Sequence, residues 1–470
     1  MREALLFLLV APCLSSKEQK NLQQIRGESV GLIFQNPMTR LNPLMTIGDH
    51  LIDTLSSHRY EKNFNSRKKR AIELLHRVGI DSERFDAYPH ELSGGMRQRL
   101  GIALAIALNP PLIIADEPTT SLDVLIANQV MAELSSLCDE FNTALLLITH
   151  DLSLAARWCQ RMAILHHGKI LEDSLTQDFL KDPQSPIARR LVKSAREREK
   201  LDISSKTIGP VTLEVERLRC WHASSSWPWK VNFIKAVDEV SFSLFSGESL
   251  GIVGPSGCGK STLCRALIGL MPIRGGSVKL NGQNLFHLNG QSLRTARRDI
   301  QMVFQDPFSC LNPKMTIGEA ICEPLLVHKC CNHREAKERS RGLLLQVGLT
   351  PPEDFQKRFP KELSGGQQQR VAIARAIALQ PKVLICDESV SMLDAEIQGD
   401  ILQLLRLLQK KLGLAILFIT HDLSIASGFC NRLLILDQGR IVEESSGSNL
   451  FLAPLSSLGK ELVKASPRLP

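Results

Sequence analysis

Residues 249–262 read SLGIVGPSGCGKST, and this stretch decides the fold. The apolar run Ser249-Leu250-Gly251-Ile252-Val253 predicts a short buried strand. It feeds Gly254-Pro255-Ser256-Gly257-Cys258-Gly259-Lys260-Ser261-Thr262, which fits G-x-x-x-x-G-K-[ST]. A helix is expected from about Lys260. Strand, glycine-rich loop and helix in that order form an anion cradle. Glycines let backbone N–H groups turn inward, and the helix N-terminus adds partial positive charge. Lys260 is placed to reach the β/γ-phosphates of a nucleotide, and the Ser261 hydroxyl to ligate Mg²⁺.

Working outward, Lys382–Cys386 and Ala415–Ile419 are further short apolar segments separated by helical stretches. That alternation predicts a parallel sheet covered on both faces, an α/β architecture. Asp387-Glu388 ends one of these strands. Asp387 there can hold Mg²⁺ through its water shell, and Glu388 can act as general base toward an attacking water. His421 ends another strand and is a candidate γ-phosphate sensor. Gln305 follows a third strand-like run. Leu-Ser-Gly-Gly at 92–95 and 363–366 precedes helical runs, so each can cap a helix or offer a second anion site.

Much of this set occurs twice. IFQNPMTRLNPLMTI at 33–47 recurs as VFQDPFSCLNPKMTI at 303–317, an offset of 305 − 35 = 270. ELSGGMRQR at 91–99 recurs at 362–370, Asp116 aligns with Asp387, and His150 with His421, each at an offset of 271 (364 − 93, 387 − 116, 421 − 150). One chain therefore carries two copies of one domain. The expected division is a first domain at 1–192, a charged, Ser-rich linker at 193–210, and a second domain at 211–470. Subtracting 270 from 254–262 gives −16 to −8, ahead of Met1, so the first copy is expected to lack its phosphate loop.

Composition sets limits. At 43% hydrophobic and 23% charged over 470 residues, the chain has material for large cores. A net charge of +8 suits anionic ligands, but the densest run, Arg67–Arg70, reads as a solvated helix face rather than a nucleic-acid surface. Twelve cysteines in no metal-ligand spacing read as reduced thiols. The apolar run Leu5–Val10 resembles a short signal core, yet it is too short to span a bilayer, and export is not the preferred reading.

These motifs together resemble the nucleotide-binding domains of ABC ATPases. Ser121-Leu122-Asp123 and Met392-Leu393-Asp394 match a further loop of that family. The run Q-[ND]-P-x-x-x-L-N-P after each glutamine is similar to the oligopeptide/dipeptide/nickel importers. The resemblance implies two tandem P-loop NTPase domains, each a mainly parallel sheet with a helical subdomain, the first incomplete. It implies ATP and Mg²⁺ as cofactors and transport-coupled ATPase activity. The loop residues 254–262 with Ser93, Gly94, Gly95 of the first copy would hold ATP, and Trp221, near His222, would stack on adenine. Glu388, His421 and Gln305 would be catalytic, and Ser261, Gln305 and Asp387 would face the metal. Expected partners are two integral membrane permease subunits and, indirectly, a solute-binding protein, at the cytoplasmic face of the membrane. No nucleic acid is expected.

The alternatives are a soluble ABC ATPase working on nucleic acid or ribosomes and a degenerate, non-hydrolysing remnant. Truncation or gene decay is the preferred reading of the first copy, ahead of a one-site mechanism. Ser389 and Met392 depart from the family pattern.

Overall fold

All five residues of Ser249–Val253 are buried, as the apolar run requires. The computed structural model describes residues 25–35, 40–58, 63–120, 122–199, 209–227, 230–390, 393, 395–447 and 449–466. The chain forms two units, Met1–Phe179 and Leu180–Pro470.

In the first unit the strands are β1 (Val30–Ile33), β2 (Leu112–Asp116), β3 (Ala144–Ile148), β4 (Arg161–His166) and β5 (Lys169–Leu175). The helices are α1 (Ile47–Ser57), α2 (Phe64–Arg77), α3 (Gly94–Ile106), α4 (Val124–Glu140) and α5 (Leu152–Trp158). Helix α6 (Pro186–Glu199) opens the second unit. Its strands are β6 (Val211–Trp227), β7 (Lys230–Phe245), β8 (Ser249–Val253), β9 (Gly275–Leu280), β10 (Gln283–Asn284), β11 (Ile300–Val303), β12 (Val383–Asp387), β13 (Ala415–Thr420), β14 (Arg432–Asp437) and β15 (Arg440–Ser446). Its main helices are α7 (Lys260–Leu267), α8 (Ile317–Val327), α9 (His333–Gln346), α10 (Gly365–Ile377), α11 (Ala395–Leu412), α12 (Leu423–Phe429) and α13 (Ser457–Ala465).

The main sheet of the second unit runs β11-β12-β13-β8-β14-β15, parallel except for β15. β12, β13 and β8 are buried at every residue, the signature of a parallel sheet covered on both faces. A second, antiparallel sheet runs β10-β9-β6-β7. Helices α8 and α9 pack on one another and on α10, forming the expected helical subdomain. Thr316 and Glu319 start α8 with a reciprocal capping box.

The first unit repeats part of this plan. β1, β2 and β3 pair in parallel as β11, β12 and β13 do. Among the described residues β4 pairs only with β5. In the second unit β8 lies between β13 and β14, whereas among the described residues of the first no strand joins β3 to β4. Exposure records the difference. Leu417, Ile419 and Leu436 are each 0% exposed, and their counterparts 271 residues earlier, Leu146, Ile148 and Leu165, are 41%, 46% and 71% exposed. An apolar side chain of that size gains about 1.5–3 kcal/mol on full burial, so the first unit forgoes much of that stabilisation along this edge.

The contact division falls between Phe179 and Leu180, ahead of the residue-192 boundary expected from composition. Helix α6 packs on α11 and α12 of the second unit, and this moves the division. Residues 193–199 of the expected linker are thus helical, and residues 200–208 lie outside the described residues. So does the Leu5–Val10 run.

Candidate nucleotide-binding site

The loop 254–259 connects β8 to α7 as the spacing predicts. Gly259 has φ +109°, and a Cβ there would sit 2.0 Å from the Ala236 carbonyl oxygen of β7. Only glycine fits this turn. A Cβ on Gly254 would lie 2.2 Å from the Leu436 carbonyl oxygen, so the loop's other end is equally constrained. Sequence and sheet together press the loop into an open cradle at the start of a helix.

Lys260 is 6% exposed, and its Nζ donates to the Gly254 and Pro255 carbonyls at 2.8 and 2.9 Å. Those bonds spare the buried ammonium the cost of lost solvation. Nζ also lies 4.0 Å from Glu388 Oε1. The Ser261 hydroxyl is 3.5 Å from Asp387 Oδ1 at the end of β12. Burial and the neighbouring Glu388 charge push the Asp387 carboxyl above its ordinary range. A cation at this point would relieve both effects. Among the described residues there is no group of three or more His, Cys, Asp or Glu that could hold a metal ion. A hydroxyl and one carboxylate, leaving places for phosphate oxygens and water, is the set Mg²⁺ uses beside a nucleotide. Ser261 and Asp387 therefore fit Mg²⁺.

Glu388 gathers the remaining groups. Gln305 Nε2 donates to its Oε2 at 2.8 Å, and His421 Nδ1 lies 3.4 Å from its Oε1. Burial alone would lower the His421 pKa, but the hydrogen bond and charge of Glu388 outweigh it and hold the imidazole above its usual value. The Glu388 backbone sits at φ +45°, and its N–H donates to the Ile419 carbonyl of β13 at 2.9 Å. A non-glycine residue held in this region carries local backbone strain. No sequence signal announced it. Glu117 repeats it, with φ +45° and an N–H bond to Ile148 at 2.9 Å.

The first unit carries the same acid–histidine–glutamine set. Glu117 accepts from Gln35 at 2.9 Å and from Thr120 at 2.8 Å, and His150 Nδ1 lies 2.8 Å away. Burial raises the Glu117 pKa, but these partners bring it below the ordinary value. Ser93 caps α3, its hydroxyl accepting from the Met96 N–H at 3.3 Å, with Gly94 and Gly95 in the first turn. Ser364 does the same for α10. Leu122 and Asp123 are described, whereas Ser121, Met392 and Asp394 lie outside the described residues.

On the side expected to face adenine, Trp221 and His222 make different contacts. Trp221 stands on β6 with its ring 6.2 Å from Phe233 and 5.3 Å from the Lys235 ammonium. Its neighbour His222 makes the contact with the loop helix, Nε2 lying 3.3 Å from Thr262 Oγ1. Adjacent strand residues face opposite ways, so the two side chains lie on opposite faces of β6. The alternation of β6 was legible. Its phase relative to α7 was not, because the β6–β7 pairing shifts register repeatedly between Val211 and Trp227.

A family model described as ABC transporter matches residues 14–120 and 237–391. The chain is 37% identical over 484 residues to the glutathione import ATP-binding protein GsiA of Pectobacterium atrosepticum, spanning 97% of this chain and 77% of that one. The protein of the same name from Escherichia coli is also 37% identical, with the same coverage. A solved dimeric ATP-binding cassette in a post-hydrolysis state bound to ADP and Pi aligns at 31% identity. It covers 50% of this chain and 98% of that one, with a TM-score of 0.45.

Proposed function

This chain belongs to the ABC transporter family of ATP-binding ATPase proteins, and from that premise we propose that it hydrolyses ATP to energise import of a small peptide. Glutathione or a related peptide is the solute class, as in the relatives named for glutathione import. One observation carries the reading. Lys260, Ser261, Asp387, Glu388, Gln305 and His421 converge on one cradle in the second unit.

The chemistry follows from those positions. Loop N–H groups and Lys260 bind the phosphates, and Lys260 offsets charge that grows on the leaving oxygen. Glu388 accepts a proton from water as its oxygen bonds to the γ-phosphorus. The bond from that phosphorus to the β,γ-bridging oxygen breaks, releasing ADP and phosphate. Gln305 holds one Glu388 oxygen, and His421 stands where a γ-phosphate oxygen would lie. Mg²⁺, held by Ser261 and Asp387, would supply charge neutralisation. His222 is the more suitable adenine neighbour. The partners are two membrane permeases and, through them, a solute-binding protein. The proposed place of the chain is the cytoplasmic face of the membrane, and no helix among the described residues is long and apolar enough to cross one.

The test is ATP hydrolysis by the purified chain and its Glu388→Gln variant. The variant should keep nucleotide binding and lose about 10²–10⁴-fold in kcat, the usual worth of a general base. Unchanged hydrolysis in the variant would refute the mechanism. Recovery of ribosomal RNA instead of membrane permeases on affinity capture would refute the importer reading.

A further inference from the structure

Helix α6 has a near-repeat in α13, 271 residues later. Ser185 and Ser456 cap the two helices identically, with Oγ accepting from the Ala188 N–H at 3.1 Å and from the Gly459 N–H at 2.9 Å. Their seats differ. α13 lies on β14 of its own repeat, and the chain entering it is tied to Glu443 of β15 through the Leu455 and Ser456 N–H groups at 2.9 and 2.8 Å. α6 instead packs on α11 and α12. Ala188, Val192 and Ala195 of this helix are buried, at 0%, 3% and 4% exposed. Their i, i+4, i+7 spacing makes one stripe on one helix face.

α12 is the helix that follows His421. Asp422 caps it, accepting from the Ser424 and Ile425 N–H groups at 2.8 and 3.2 Å, and Thr420 Oγ1 in turn accepts from the Asp422 N–H at 3.0 Å. His421 therefore sits between the last residue of β13 and a cap that moves with α12. On its inner side α12 packs on β8, β13 and β14. From the side, Arg406 of α11 donates to the Gly428 carbonyl and lies over the Phe429 ring at 5.6 Å. α6 braces α11 and α12 together.

We propose that α6, through Val192 and its neighbours Ala188 and Ala195, is a positioning element for His421. A helix written in the first repeat fixes how the histidine of the second repeat faces Glu388. The proposal rests on the catalytic reading of His421, and its test separates the two. Val192→Ala opens a small void without adding a polar group, and Val192→Ile refills it. The first readout is hydrogen exchange of the Ser424 and Ile425 amides in the full chain without nucleotide. The second is kcat and KM for ATP.

Val192→Ala should speed exchange at Ser424 and Ile425 and lower kcat about tenfold, the scale on which slight misplacement of catalytic groups acts. KM should stay within about twofold, and Val192→Ile should restore both readouts. Unchanged exchange at those two amides overturns the proposal. So does faster exchange spread evenly over β12, β13 and α11, which would mark general loosening. The exchange arm needs no hydrolysis, so an inactive wild-type chain would refute the catalytic reading while leaving the positioning claim decided on its own.

Discussion

The side-chain amide of Gln305 donates to the Glu388 carboxylate at 2.8 Å. Gln35 makes the same bond to Glu117 at 2.9 Å in the other unit. The bond occupies Oε2 and leaves Oε1 to face Lys260 and His421. Gln305 thus orients Glu388, the proposed general base. Gln305→Ala should lower kcat about tenfold with KM changed less than about twofold, the pattern of a lost transition-state interaction. Gln305→Glu should cost more, because two neighbouring carboxylates cannot both ionise cheaply. Steady-state kinetics read both, and equal losses would contradict the charge argument.

The two neighbours on β6 give a sharp contrast. His222 contacts Thr262 at the start of α7, whereas the Trp221 ring lies with Phe233 and Lys235. His222→Ala should raise the KM for ATP about 5- to 150-fold, since stacking on a base is worth about 1–3 kcal/mol. Trp221→Ala should change KM less than about twofold. The reverse ranking would return the adenine seat to Trp221.

How much of this was legible in the sequence varies with the physics involved. The loop at 254–262 and the buried strands around it were readable because glycine placement and apolar runs are local signals. The convergence of Gln305, Glu388 and His421 was readable only through the repeat, since 83 residues separate the first pair. The +45° φ of Glu388 was not, because glutamate carries no preference for it. The seat of α6 was also hidden. Its Ala188–Val192–Ala195 stripe says that one face is covered, yet nothing in the stripe says by which helices.

The exposure of apolar residues along β3 has an energetic consequence. Leu146 and Leu417 occupy equivalent strand positions at 41% and 0% exposure. Leu417→Asp buries a carboxylate among β8, β12 and β13 and should cost on the order of 4 kcal/mol, enough to abolish a native melting transition of the second unit. Leu146→Asp places its charge at a partly solvated edge and should cost less than about 1 kcal/mol. Calorimetry on the two variants checks this. A large loss from Leu146→Asp would mean that the edge is covered in solution.

Asp387 offers the opposite sign of effect. It is 5% exposed, and burial with the Glu388 charge holds its carboxyl above the ordinary carboxylate value. A folded-state pKa above the unfolded one means that the fold favours the protonated acid. The corresponding stability is full below about pH 3.8 and is lost as pH rises through the folded value. Wherever Asp387 ionises without nucleotide, its charge therefore weakens the fold. Asp387→Asn should raise the melting temperature at pH 7, and the gain should shrink as pH falls toward 4. The same variant should lose the extra stabilisation that Mg²⁺ and ATP together give the wild type, because a ligand stabilises only through its affinity for the native state. Melting curves at pH 4 and pH 7, with and without Mg²⁺ and ATP, decide the matter. A lower melting temperature for Asp387→Asn at pH 7 would show that the carboxylate stabilises the free fold, and would remove the case that it is kept at a cost for the metal.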